Sequence, residues 1–193
     1  MTNNEAPAVT DRRYSYAEAM QVAEALVRQL EPCCERIVIA GSLLRKKSEV
    51  GDIELLYIPR LSGKAEGHLF DPKDLAEERI EQLENGVLCR RKDARGRETF
   101  GKKNKLMVHK PTGIPVDLFA TTKQNWWVSL VIRTGGKETN LRLTSRANEL
   151  GYSLNAYGCG FTRLSDGKVF EMTSEEAIFE FVGLPCPSPE MRS

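Results

Sequence analysis

The chain has 193 residues, 40% of them hydrophobic and 28% charged, and its 28 Lys and Arg against 27 Asp and Glu leave a formal net charge of +1. That balance supports one or two small buried cores and suits a compact intracellular enzyme rather than a fibrous, membrane or secreted class. No apolar run approaches the ~20 residues that cross a bilayer, the opening MTNNEAPAVTDRR reads as a short disordered tail without a signal-peptide core, and five cysteines lack disulfide-framework spacing, so a cytoplasmic protein with reduced thiols, bacterial or viral, is expected. The lack of a patterned oligomerisation helix makes a monomer the expectation.

Taken in chain order, Ser15 is placed to cap a helix running to about Leu30, because Ala19, Val22, Ala23, Leu26, Val27 and Leu30 recur at helical spacing. Residues 37–40 read as a short buried strand entering Gly41, with a helical turn expected over residues 43–47. Glycine admits close backbone approach, and amides at a helix start, joined by the Ser42 hydroxyl and the Arg45 guanidinium, suit a triphosphate. A Gly-Ser pair after a strand is also a common tight turn, so the phosphate reading gains force only in combination with acids farther along the chain.

Residues 50–58 read as a strand on which Asp52 and Glu54, two apart, share one face, while Gly51 keeps the strand entry open to phosphate oxygens. A loop then leads to Asp71 and Pro72 as cap and first turn of a helix ending near Leu83, to which no chemistry is assigned. Between Arg90 and Lys105, eight basic side chains face only Asp93 and Glu98, and a hairpin carrying Arg95, Arg97, Lys102, Lys103 and Lys105 is suited to a DNA phosphate backbone; a solvated loop between two strands is the plainer alternative.

Residues 114–119 read as another strand. Laid beside the first, it would bring Asp117 to Asp52 and Glu54, and three clustered carboxylates repel one another without a cation. Hard oxygen donors point to Mg2+, whereas His68, His109 and the five scattered cysteines form no zinc set. Farther on, Trp126 and Trp127 are expected to pack internally rather than stack on a base, a helix is expected over residues 137–150 ending at Gly151, strands over 161–164 and 168–172 turn at Asp166 and Gly167, and a last helix covers 174–182.

The order Gly41-Ser42, Arg45, Gly51-Asp52-Ile53-Glu54 and Val116-Asp117-Leu118 resembles the family X DNA polymerases of the nucleotidyltransferase superfamily, typified by DNA polymerase beta. The segment from Leu130 to Gly136 with Asn140 is similar to the start of that family's thumb, and Gly183-Leu184-Pro185 with the tail from Pro189 to Arg192 to its end. The resemblance covers most of the chain. It implies an α+β fold: a nucleotidyltransferase palm over residues 1–120, with a mixed β-sheet flanked by helices, and a small α/β thumb over 121–193. The resemblance begins with the palm, so this reading expects no lyase domain or helix-hairpin-helix pair ahead of it.

The resemblance further implies a small gap-filling repair polymerase that adds nucleotides to a DNA primer 3′-hydroxyl with two Mg2+ ions, replaceable by Mn2+. Asp52, Glu54 and Asp117 would be the catalytic metal ligands; Gly41, Ser42, Arg45 and Gly51 would grip the nucleoside triphosphate, with Arg133, Gly135 and Asn140 along its sugar and base. Glu54 departs from the family's aspartate, and Ile132 with Arg133 replace an aromatic pair that excludes ribonucleotides, which leaves sugar choice open. Transfer to an RNA or protein acceptor and a non-catalytic DNA-binding module are the alternatives.

Overall fold

A computed structural model of the chain describes residues 12–62, 72–93 and 95–193. In chain order its elements are β1 (Tyr14–Ser15), α1 (Tyr16–Leu30), β2 (Cys34–Ile39), α2 (Gly41–Leu44), β3 (Glu49–Val50), β4 (Ile53–Pro59), β5 (Leu61–Ser62), β6 (Lys73–Asp74), α3 (Leu75–Asn85), β7 (Leu88–Arg90), β8 (Asn104–His109), β9 (Pro115–Ala120), α4 (Trp126–Thr134), α5 (Lys137–Glu149), β10 (Tyr152–Leu154), β11 (Gly160–Arg163), β12 (Val169–Glu171) and α6 (Glu175–Phe181). They form two units, Met1–Ile39 with Ser48–Ala120, and Ala40–Lys47 with Thr121–Ser193. The sequence puts Ala40–Lys47 inside the first domain. It groups with the second unit, where α2 packs on α4, Arg45 Nη1 donates to the Thr134 carbonyl at 2.8 Å and Lys46 Nζ pairs with Glu190 at 2.9 Å.

In the first unit, among the described residues, five strands make one mixed sheet in the order β2-β4-β9-β8-β7. β4 runs parallel to β9 and every other pairing is antiparallel. Ser15 caps α1 by accepting from the Glu18 N–H at 3.2 Å, and the helix buries Ala19, Val22, Ala23, Leu26 and Leu30. That stripe keeps the 3.6-residue period, so a soluble helix forms with its apolar side turned inward. Asp71 lies outside the described residues, as does His68; the cap of α3 is Asp74, whose Oδ1 accepts from the Glu77 N–H at 2.9 Å. Helix α3 buries Ala76, Ile80 and Leu83.

The expected strand over residues 50–58 is broken at Gly51 and Asp52: β3 pairs with β1, and β4 begins at Ile53. Ile53, Leu55, Leu56, Tyr57 and Ile58 are all buried, so β4 is apolar on both faces, as a central strand of a layered sheet must be. Its one charged position is Glu54.

The second unit packs α4, α5 and α6 with the antiparallel sheet β10-β11-β12 around Val128, Val131, Leu143, Phe161, Ile178 and Phe179. Phe161 and Phe181 stack with ring centroids 4.5 Å apart, and Tyr152 meets Phe181 edge-on at 5.0 Å. Burying Phe161 contributes about 2–3 kcal/mol. Trp126 is buried in α4 and Trp127 packs against this core, which is the packing role expected of the pair. Strand β10 is absent from the sequence-based expectations; three residues of mixed character after a helix-ending glycine carry too little period to mark a strand. Among the described residues no helix is long and apolar enough to cross a membrane.

Candidate active site

In the first unit the parallel register sets Glu54 directly opposite Asp117. Lys105, the cross-strand partner of Leu118, reaches Glu77 at the start of α3, which identifies the α3-covered face of the sheet. Side chains alternate across a strand, so Glu54 and Asp117 lie on the opposite face. Asp52 precedes β4 by one residue and is half-buried, like Glu54. Among the described residues no three His, Cys, Asp or Glu side chains stand close enough to form a metal-binding group.

Asp117 is buried and engaged by Arg91, whose Nη2 donates to Oδ1 at 2.5 Å, with both side chains largely shielded from solvent. The Arg91 N–H donates to the Leu106 carbonyl at 3.0 Å, and Leu106 is the antiparallel partner of Asp117, so Arg91 reaches the acid across β8. In the sequence Arg91 is one member of the basic run, with nothing to give it a place at the site. Cationic charge alone does not separate a buried arginine from its exposed neighbours; position in the strand register does.

A second residue beyond the reach of sequence pattern is Arg13, which stands in the segment that reads as a tail. A Cβ placed on Gly51 would lie 3.2 Å from Arg13 Nη1, so the guanidinium rests against the glycine that precedes Asp52. The donor set is therefore all carboxylate, with cationic groups beside it. Oxygen donors of this kind are the chemistry that suits Mg2+ or Mn2+, and Arg91 sets a positive charge beside Asp117.

The other expected phosphate ligands belong to the second unit. Gly41 adopts a φ of 61°, a conformation open to glycine at little cost, and this turns the chain into the single helical turn α2. A helix of four residues has little macrodipole, so any anion affinity here comes from individual donors rather than from the helix axis. Among the described residues, Ser42 Oγ and Arg45 Nε are buried without hydrogen-bond partners, as are Thr134 Oγ1 and Asn140 Oδ1. Buried polar atoms without partners are uncommon in folded proteins, which sets these four side chains apart from their neighbours. Asn140 Nδ2 holds the Ile132 carbonyl at 2.8 Å and the Gly135 carbonyl at 3.2 Å, fixing the turn between α4 and α5. Arg133 Nη2 donates to the Tyr157 hydroxyl at 3.3 Å.

The basic segment between β7 and β8 is organised around Asp93, which accepts from the backbone N–H groups of Arg95 and Arg97, each at 2.9 Å, and from the Arg97 guanidinium. The Arg97 N–H is the foremost reason that the Asp93 carboxyl titrates below its ordinary range. Arg95, Arg97, Lys102 and Lys103 are exposed on this turn. Lys105 departs from the expectation. It is 2% exposed, with Nζ 3.2 Å from Glu77 Oε1 and 3.1 Å from the Gly101 carbonyl, because its strand position points it beneath α3. A cation so placed cannot track DNA.

Residues 129–193, about a third of the chain and all within the second unit, match the DNA polymerase beta thumb. The matched stretch runs from within α4 through α5, the three-stranded sheet and α6. No curated protein matches this chain.

Proposed function

We propose that the chain is a DNA-directed nucleotidyltransferase of the family X type, adding nucleotides to a primer 3′-hydroxyl and filling gaps during repair. The observation that carries this reading is the direct pairing of Glu54 with Asp117 in a chain whose residues 129–193 match the DNA polymerase beta thumb. A thumb of that kind supports a DNA-binding, polymerase-like role, and the paired acids supply what phosphoryl transfer needs in the first unit.

In this mechanism the primer 3′-oxygen attacks the α-phosphorus in line, a new P–O bond forms, the bond to the β-phosphate oxygen breaks and pyrophosphate leaves. Asp117 accepts the hydroxyl proton. Asp52, Glu54 and Asp117 would hold two Mg2+ ions, which supply charge neutralisation for the nucleophile and the leaving group. By the family resemblance Gly41, Ser42, Arg45 and Gly51 would take the outer phosphates and Arg133, Gly135 and Asn140 would lie along sugar and base; within the first unit, Arg13 adds a guanidinium beside Gly51. Arg95, Arg97, Lys102 and Lys103 contact DNA phosphates; Lys105 has a structural role.

The test is extension of a labelled primer on one-nucleotide-gapped and recessed DNA with each dNTP or rNTP and Mg2+ or Mn2+, wild type beside Asp117→Ala. Template-matched addition that the variant loses supports the reading. Addition to RNA or protein alone reassigns the acceptor, and DNA binding without transfer makes the chain a non-catalytic module.

A further inference from the structure

Arg91 has no role in the proposed mechanism, yet it grips the acid assigned as proton acceptor. Its backbone belongs to the line of β7, beyond β8, so the side chain spans two strand spacings, about 10 Å, to reach Asp117. The pair is shielded from water on both sides. It is also incomplete: among the described residues Arg91 Nε is buried with no hydrogen-bond partner. A guanidinium serving only architecture tends to be held at several donors in a fork against its carboxylate, because a lone buried N–H is costly. Arg91 instead places one donor, Nη2, on Asp117 and, among the described residues, leaves Nε unsatisfied, on the face that also carries Glu54.

We propose that Arg91 and a divalent cation are alternative counter-charges for Asp117, so that Arg91 is a positioning residue that sets how tightly the acids of this face take up the cation. The inference rests on the metal-dependent function proposed for the chain. Without a divalent cation the guanidinium neutralises the buried carboxylate and fixes its rotamer. When the cation binds, Asp117 turns an oxygen toward it and the Arg91 hydrogen bond weakens or is lost. Two cations near one carboxylate repel each other, so Arg91 lowers the affinity of the site and keeps Asp117 folded in place until the cation arrives.

The experiment is titration of Mn2+ alone, with free ion monitored by electron paramagnetic resonance, into wild type, Arg91→Gln, Arg91→Lys and Asp117→Asn, alongside thermal unfolding with and without Mn2+. Asp117→Asn is expected to lose the binding that wild type shows. Arg91→Gln is expected to bind Mn2+ about tenfold more tightly than wild type, the scale of one removed like charge, with Arg91→Lys between them. Its Tm should fall below wild type in the absence of cation and recover as Mn2+ saturates, because a ligand that binds only the folded state stabilises it.

A purely architectural arginine gives a different pattern: Mn2+ affinity unchanged or weakened by Arg91→Gln and a Tm deficit that Mn2+ leaves intact. That result overturns the proposal while the metal site stands. Mn2+ binding indifferent to Asp117→Asn overturns both. Should Arg91→Gln fail to fold, guanidinium NMR of wild type reads the same exchange, where a shift of the Arg91 side-chain signals on adding Mg2+ supports the proposal and unchanged signals overturn it.

Discussion

Glu54 and Asp117 are register partners across the parallel pair of β4 and β9, the one place in the five-stranded sheet, among the described residues, where two acids face each other across a ladder. Like charges in direct opposition destabilise a sheet unless something compensates them. The β-strand preference of the surrounding apolar residues sets the register, and the register in turn forces the acids together. Glu54→Gln is therefore expected to leave the fold intact, with unchanged or slightly raised Tm, and to lower nucleotide transfer roughly a thousandfold, as loss of several kcal/mol of charge stabilisation requires. Glu54→Asp should retain more activity than Glu54→Gln, since the carboxylate survives on a shorter stem. Primer-extension rates beside thermal melts check both halves of the expectation.

Gly135 supplies a second prediction. An ideal Cβ there would lie 2.1 Å from Asn140 Oδ1 and 3.0 Å from the Val131 carbonyl, so alanine cannot enter without displacing the Asn140 amide. That amide holds the Ile132 and Gly135 carbonyls. Gly135→Ala is expected to cost about 1–3 kcal/mol of stability through overpacking and to weaken nucleotide binding about tenfold. Asn140→Ala removes the clash partner along with the restraint, so the double variant should be no less stable than Gly135→Ala alone. Denaturant midpoints and nucleotide titrations separate the two effects.

These positions also show how far residue pattern reaches. Helix α1 is legible because six apolar residues keep one period and a serine caps it, and the strands of Glu54 and Asp117 are legible because each is an apolar run ended by turn residues. The cap at Asp74 is obscured by Asp71 and Pro72, which offer the same chemistry three residues earlier. The grouping of α2 with the second unit rests on its packing against α4, joined by a guanidinium-to-carbonyl hydrogen bond spanning 89 residues of sequence, which no local period encodes. Arg91 and Lys105 are hidden for a related reason. Both sit in a run of cations that reads as uniform surface, and only strand alternation turns Arg91 to the acids and Lys105 beneath α3.

Alkaline pH should unfold this protein from the first unit. Burial, with the neighbouring Cys33 second, lifts the Cys34 thiol from 9.0 to about 12, and burial likewise raises the Tyr57 hydroxyl. Both groups are neutral when folded and ionise more readily when unfolded. Their contribution is thus fully present below pH 9 and is lost as pH rises from 9 toward 12, because the unfolded chain releases the protons first. Tm is expected to decline steadily across that window. Cys34→Ala should flatten the decline while lowering Tm at neutral pH through lost packing, and Cys34 should resist alkylation at pH 8 until denaturant is added.

Lys105 and its neighbours on the same hairpin are expected to part company under mutation. Lys102 and Lys103 are exposed, whereas Lys105 is buried with its ammonium on Glu77 and the Gly101 carbonyl. Exposed cations that meet a phosphate backbone release counterions, so Lys102→Ala or Lys103→Ala should weaken DNA binding modestly, reduce the slope of log affinity against log salt by roughly one per contact, and leave Tm unchanged. Lys105→Met should do the reverse. Losing a charged hydrogen bond whose partner is about a third exposed costs about 2 kcal/mol of stability, while the salt slope stays at the wild-type value. Filter-binding at several salt concentrations, run beside thermal melts of the three variants, decides between them; a changed salt slope in Lys105→Met would place that ammonium on DNA after all.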